Sequence, residues 1–235
     1  MEYVYDIAKA AGVKNVVLGN LYHGSCRIQW HYDYLTKNEP EYEYRVNNGG
    51  KWITTPGSHF SDAFGTYDWD YISFQQCAQD LQSNESLYVH LGDLIAYAKE
   101  QCPDAKIVYH MPWANKHANY GNSVEGMYRD CMTTLRLIIE QYPEIEACLT
   151  TGTAIQNART SYIPADAFLR DGWHLSFGLG RYIAGLAFFT QLTGISVDGL
   201  DFAPGGLSED YKLIAIEAAE NSRENPRTVT PSQYR

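Results

Sequence analysis

The chain has 235 residues, 45% of them hydrophobic, and 28 acidic against 18 basic side chains give a formal net charge of −10. That size and apolar content suffice for one α/β core, and the acidic balance disfavours the phosphate backbone of a nucleic acid as partner. No run of about 18 apolar residues is present, so a hydrophobic membrane-spanning helix is not expected, and Met1-Glu2-Tyr3-Val4-Tyr5-Asp6 has neither the basic start nor the apolar core of a secretory signal.

The first element is a helix over Tyr3–Ala11, closed by Gly12. A short buried strand follows at Val13–Gly19, then a turn at His23-Gly24-Ser25 and a helix from Cys26 to about Lys37. Tyr42–Val46 and Lys51–Thr54 alternate around Asn47-Asn48-Gly49-Gly50, a β-hairpin signal, because Asn and Gly accept the positive φ of tight hairpin turns. A short helix at Asp62–Thr66 leads to a strand at Trp69–Phe74 that ends on Gln75-Gln76. Leu87–Gln101 reads as a helix stopped by Pro103, Lys106–His110 as a strand, Asn122–Gln141 as a long helix and Ile145–Leu149 as a strand. Thr151-Gly152-Thr153 opens a loop or a helix start. Helices at Leu175–Leu192 and Ser208–Ala219 complete the chain, and the polar residues 221–235 are expected to fray.

Strands alternating with helices of about 15 residues predict a single α/β domain over residues 1–235, with a mostly parallel sheet covered on both faces and the hairpin near 42–54 as an insertion. Ligand sites in such sheets lie at the carboxyl ends of the strands. The loops after Leu18, Phe74, His110 and Leu149 are therefore candidates, together with the turn at Asp171–His174.

Asp171-Gly172-Trp173-His174 carries the most chemistry. An acid three residues before a histidine, with a glycine between, lets one short loop present a base and the group that orients it. The alternative is an ordinary structural pair. Gly24 in its turn could offer a backbone N–H to an oxyanion, and Gln75 or Gln76 a side-chain amide, although each alone reads equally well as a turn or capping residue. His23 and His110 at strand ends could line a pocket, as could Trp113 and Trp173, and Asn157 and Arg159 could bind a polar substrate. None of the seven histidines has HxH or HExxH spacing, so no metal site is expected. The five cysteines are odd in number and lack a CxxC pair, which reads as reduced thiols. Nineteen tyrosines and five tryptophans fit core and sheet packing, or aromatic platforms for sugar rings.

Four segments together resemble a known family: GNLYHGSC (19–26), WDYISFQQ (69–76), TGTAIQNARTS (151–161) and RDGWHLS followed by GRYIAGLAFF (170–189). In this order they resemble the DUF4886 branch of the SGNH (GDSL-like) hydrolase superfamily, from about residue 3 to 195. The resemblance implies a flavodoxin-like three-layer α/β/α sandwich and an esterase-type activity on acylated, especially acetylated, carbohydrate, with no cofactor. It assigns His174 and Asp171 as base and orienting acid, and Gly24 with Gln75 or Gln76 as oxyanion donors. The partner is then a small-molecule or glycan ester, and the family likeness suggests a secreted or periplasmic bacterial protein.

The family's nucleophilic serine, in a GNSFS-type turn after the first strand, has no counterpart here. Leu18-Gly19-Asn20-Leu21 carries no serine in that place, and Ser25 follows the oxyanion glycine. By this likeness the first strand and nucleophile lie upstream of Met1. The polypeptide as it stands is then expected to have absent or very low activity, and to be poorly stable or to self-associate through strand edges. A truncated hydrolase and a non-catalytic homologue that keeps a carbohydrate-binding pocket both fit. A nucleotide-binding reading is poorer, since no GxGxxG or phosphate loop occurs.

Overall fold

The structure, a computed structural model, describes residues 1–81, 88–117, 119 and 121–235. Among the described residues the protein is an α/β chain with seven α-helices and two three-stranded sheets. The residues group into two compact units. One comprises Val17–His110 and Asp130–Cys148, the other Met1–Val16, Met111–Arg129 and Leu149–Arg235.

In the first unit, strands β1 (Val17–Tyr22), β2 (Tyr42–Asn48) and β3 (Lys51–Ser58) form an antiparallel sheet in that order. The hairpin turns where its residues allow: Gly49 and Gly50 have φ of 74° and 91°, and Asn48 faces Lys51 across a two-residue loop. Asn47 Oδ1 accepts the Gly50 N–H at 2.9 Å. The strand expected at Val13–Gly19 is displaced. Val13 N–H closes the preceding helix on Ala8 O at 2.9 Å and Asn15 adopts φ 60°, so extended backbone begins only at Val17. That strand pairs with β2, from Val17↔Asn48 to Tyr22↔Glu43, and β4 lies in the other sheet. The hairpin is therefore two-thirds of a sheet of its own, and the single mostly parallel sheet expected from the sequence is replaced by two.

The second sheet has the order β4 (Tyr71–Phe74), β5 (Lys106–His110), β6 (Ile145–Leu149). Strands β4 and β5 are parallel, from Tyr71↔Lys106 to Phe74↔Tyr109. The centre of β5, Ile107-Val108-Tyr109, is buried without interruption, the pattern of a strand covered on both faces. Helix α2 (Ile28–Lys37) ends on Asn38 in the left-handed region, and α3 (Leu91–Gln101) buries Leu91, Leu94, Ile95 and Ala98. The predicted start of that helix at Leu87 lies outside the described residues. The expected helix at 62–66 is instead a 3-10 turn over Phe60–Ala63, with the Asp62 carboxylate accepting the His59 N–H at 2.8 Å. Helix α4 (Val124–Gln141) buries Met127, Cys131, Leu135 and Ile138, which lie on one stripe by their spacing.

The second unit is helical. Helices α1 (Val4–Ala10), α5 (Thr151–Ala158), α6 (Leu179–Thr193) and α7 (Glu209–Glu224) surround a core that includes Ile7, Ile155, Phe168, Tyr182, Ile183, Leu186 and Ile214. Helix α6 is buried on most of its circumference, which its run Leu179 to Thr190 predicts. It starts at Leu179 and not at Leu175, because Leu175 forms an antiparallel bridge with Leu169. Gly194 at φ 73° terminates it, donating its N–H to Thr190 O at 2.8 Å. Ser208 caps α7 by accepting the Tyr211 N–H at 3.3 Å. The polar end of the chain has partners in this unit. Thr230 N–H donates to Asn157 Oδ1 at 2.8 Å, Ser232 N–H to Thr160 Oγ1 at 2.7 Å and Gln233 N–H to Glu217 Oε1 at 2.9 Å. Tyr162 N–H donates to Tyr234 O at 3.0 Å. Among the described residues no helix is long and apolar enough to cross a membrane, and all five cysteines are free thiols.

Candidate functional site

The loop before α6 is built from the backbone outward. The Leu169–Leu175 bridge brings two extended segments together, and Arg170 N–H donates to His174 O at 2.9 Å. Gly172 at φ 80° supplies the left-handed step that turns the chain between them. Asp171 then sits inside the turn. Its Oδ1 accepts the N–H groups of His174 at 2.7 Å and Trp173 at 3.0 Å, and its Oδ2 faces His174 Nδ1 at 2.6 Å. Hydrogen bonds from the His174 N–H, the His174 ring and the Trp173 N–H hold the Asp171 carboxyl well below the usual carboxylate range. A fixed carboxylate at Nδ1 selects the neutral tautomer with its proton there and leaves Nε2 as the basic nitrogen. The His174 side chain is 64% exposed, and Nε2 has no hydrogen-bond partner among the described residues. The arrangement can accept a proton from a hydroxyl and stabilise the resulting imidazolium.

Two neighbours of this pair were not singled out from the sequence. Arg170 Nε lies 3.7 Å from Asp171 Oδ2, and its guanidinium stacks on Phe177 at 4.5 Å. Arg181 also lies 4.5 Å from that ring, which is 57% exposed. The only local signal was a basic residue directly before the acid. Trp113 and Trp173, both read as substrate-facing, are joined: the Trp113 indole N–H donates to Trp173 O at 2.7 Å. His117 meets the Trp173 ring edge-on at 4.8 Å.

Asn157 and Arg159 do not lie in an open loop. The segment from Thr151 is helix α5, and Asn157 is 1% exposed, with Nδ2 donating to Ala218 O at 3.2 Å and Oδ1 accepting from Thr230. Both ends of its buried amide tie α5 to α7 and the tail, which corrects its assignment as a substrate contact. Arg159 Nη1 donates to Ala114 O at 2.9 Å and Gln156 Oε1 at 2.6 Å, and burial lowers its guanidinium to about 10. It braces backbone.

The remaining candidates belong to the other unit. Gly24 follows β1 in an exposed turn, with His23 Nδ1 3.0 Å from its carbonyl and Ser25 at φ 55°. The His23 ring is T-shaped to Trp30 and tilted on Tyr34. Gln75 and Gln76 differ sharply. Gln76 is 1% exposed and its Oε1 accepts the N–H groups of Ile28 at 3.1 Å and Cys77 at 2.9 Å, so it secures the start of α2. Gln75 is exposed, and its Oε1 lies 2.7 Å from His110 Nδ1. Burial lowers the His110 imidazole to about 3, so it is neutral and donates to Gln75 from Nδ1. Of the pair, Gln75 is the better placed to offer an amide N–H. Among the described residues no group of three or more His, Cys, Asp or Glu could hold a metal ion.

No curated protein matches the chain. Among solved structures, the crystal structure of a DUF4886 family protein from Bacteroides uniformis ATCC 8492 is similar, with a TM-score of 0.91 and 31% sequence identity over 97% of this chain and 90% of that one. The family described as "Domain of unknown function (DUF4886)" matches residues 1–222, and the chain belongs to it.

Proposed function

We propose that the protein is a hydrolase of the SGNH type acting on esters, with acylated carbohydrate as the substrate class and a flavodoxin-like three-layer arrangement as its scaffold. The observation that carries the reading is the 2.6 Å contact of Asp171 Oδ2 with His174 Nδ1, made by a carboxylate that two backbone N–H groups also hold. Such a pair is prepared for proton transfer before substrate arrives. The resemblance of the 19–26, 69–76, 151–161 and 170–189 segments to SGNH hydrolases supports ester chemistry in particular.

In this reading His174 Nε2 takes a proton from an attacking water as the water oxygen bonds to the ester carbonyl carbon. Asp171 stabilises the imidazolium formed. His174 then returns the proton to the departing sugar oxygen as the C–O bond breaks. The partly exposed ring of Trp173 beside the pair suits sugar-ring stacking.

The test is turnover of an aryl acetate and of an acetylated xylo-oligosaccharide by the purified protein and by His174→Ala and Asp171→Asn. Weak wild-type hydrolysis above the buffer rate, falling to the buffer rate in both variants, is expected. Rates identical in wild type and His174→Ala would remove the reading.

A further inference from the structure

We infer that Trp113 is a positioning residue for His174, acting through the Trp173 carbonyl. This rests on the ester-hydrolase reading of the Asp171–His174 pair and extends it to a residue 60 positions away in sequence.

Trp113 stands on a clamped stretch of backbone. Met111 N–H donates to Leu149 O at 2.8 Å, and Met111 O accepts from Thr151 Oγ1 at 3.3 Å and Gly152 N at 3.4 Å. Gly152 has no room for a side chain: a Cβ there would lie 2.4 Å from Pro112 O and 3.2 Å from Trp113 Cα. On the far side, Arg159 holds Ala114 O, with its own guanidinium fixed by Gln156. Residues 111–114 are thus gripped along their length by the first and last turns of α5. The Thr151–Arg159 segment, one of the four that carry the family resemblance, acquires a physical role as the base of this strap.

The indole has one donor and commits it to Trp173 O at 2.7 Å. That carbonyl belongs to the peptide whose N–H, on His174, donates to Asp171 Oδ1. The two ends of a single peptide unit are therefore held by Trp113 and Asp171. Because the unit is planar, releasing one end lets the whole plane rotate, and the His174 N–H that holds Asp171 Oδ1 swings with it. His117 against the Trp173 ring limits the neighbouring side chain as well. A displacement of about 1 Å at a catalytic group can cost on the order of 10²-fold in rate, so a single distant hydrogen bond can matter more to turnover than to stability.

The test is Trp113→Phe, which keeps an aromatic ring on the strap and removes the donor. Three measurements are read together: kcat and KM on an aryl acetate, the melting temperature, and the imidazole tautomer of His174 from its ring ¹H–¹⁵N correlations at pH 8. A fall in kcat of about tenfold with KM within about twofold, accompanied by loss of the single Nδ1–H tautomer, is expected. A purely structural tryptophan would lower the melting temperature and leave the tautomer unchanged. An unchanged tautomer overturns the inference whatever happens to kcat. The tautomer is read without substrate, so it decides the role of Trp113 even if His174→Ala shows that the pair does not catalyse ester hydrolysis.

Discussion

At the scale of single residues, the histidines show how environment divides one side-chain type into different roles. His174 is largely exposed and keeps one nitrogen open, whereas His31 is enclosed: Tyr42 Oη lies 2.7 Å from its Nδ1 and the two rings stack within 5° of parallel. Burial first, and the neighbouring His23 second, lower the His31 imidazole to about 4. In the unfolded chain it titrates near 6.5. Between those values the unfolded state binds more protons than the folded one, so stability falls as pH drops from about 7 to 4. The loss attributable to His31 is on the order of 3 kcal/mol at most. Urea unfolding from pH 7.5 to 4 should show this slope in the wild type and a flatter one in His31→Gln. Equal slopes would mean that His31 is not the group that titrates.

At the scale of elements, two glycines of the antiparallel sheet are required for different physical reasons. Gly49 needs its positive φ, and the space where a Cβ would stand is open to 4 Å, so Gly49→Ala should cost about 1 kcal/mol through backbone strain alone. Gly19 lies in ordinary extended backbone, but a Cβ there would meet the Trp69 ring at 2.7 Å. That ring cannot easily retreat, because its Nε1 donates to Ala63 O at 2.7 Å. Gly19→Ala should therefore cost about 1–3 kcal/mol through overpacking. Paired denaturation of the two variants checks the order, and a smaller cost at Gly19 would show that the ring has room to move. The strand to which Gly19 belongs also shows why sequence placed it early. Val13, Val16, Val17 and Leu18 flank Lys14-Asn15 as apolar residues, and only the left-handed step at Asn15 separates the helix exit from the strand.

At the scale of the whole molecule, one unit is assembled from three separate stretches of chain, and its tail returns to the helices that precede it. Removal of residues 226–235 would leave Asn157 Oδ1, buried in α5, without the Thr230 N–H, and Glu217 without Ser232 and Gln233. A buried acceptor left unpaired costs about 1–3 kcal/mol. The truncated chain should melt several degrees lower, at about 2–4 °C per kcal/mol for a chain of this size. A melting temperature unchanged within one degree would show that these bonds contribute nothing.

What the sequence determined by itself was local. The strands Lys106–His110 and Ile145–Leu149 fall where their apolar runs placed them, the hairpin turns on its Asn-Gly signal, and Asp171 and His174 meet because three residues and a glycine suffice to bring them together. Tertiary structure decided what depends on distant partners. Val17–Tyr22 joined the hairpin because register and hydrogen bonding, and not the apolar content of the run, choose a strand's neighbour. Asn157 and Arg159 became braces because the carbonyls of Ala218 and Ala114 reach them from 61 and 45 residues away. Trp113 and Trp173 each read from the sequence as a pocket-lining candidate. Only the packed chain shows one holding the other, since a hydrogen bond across 60 residues leaves no periodicity in the sequence from which to read it.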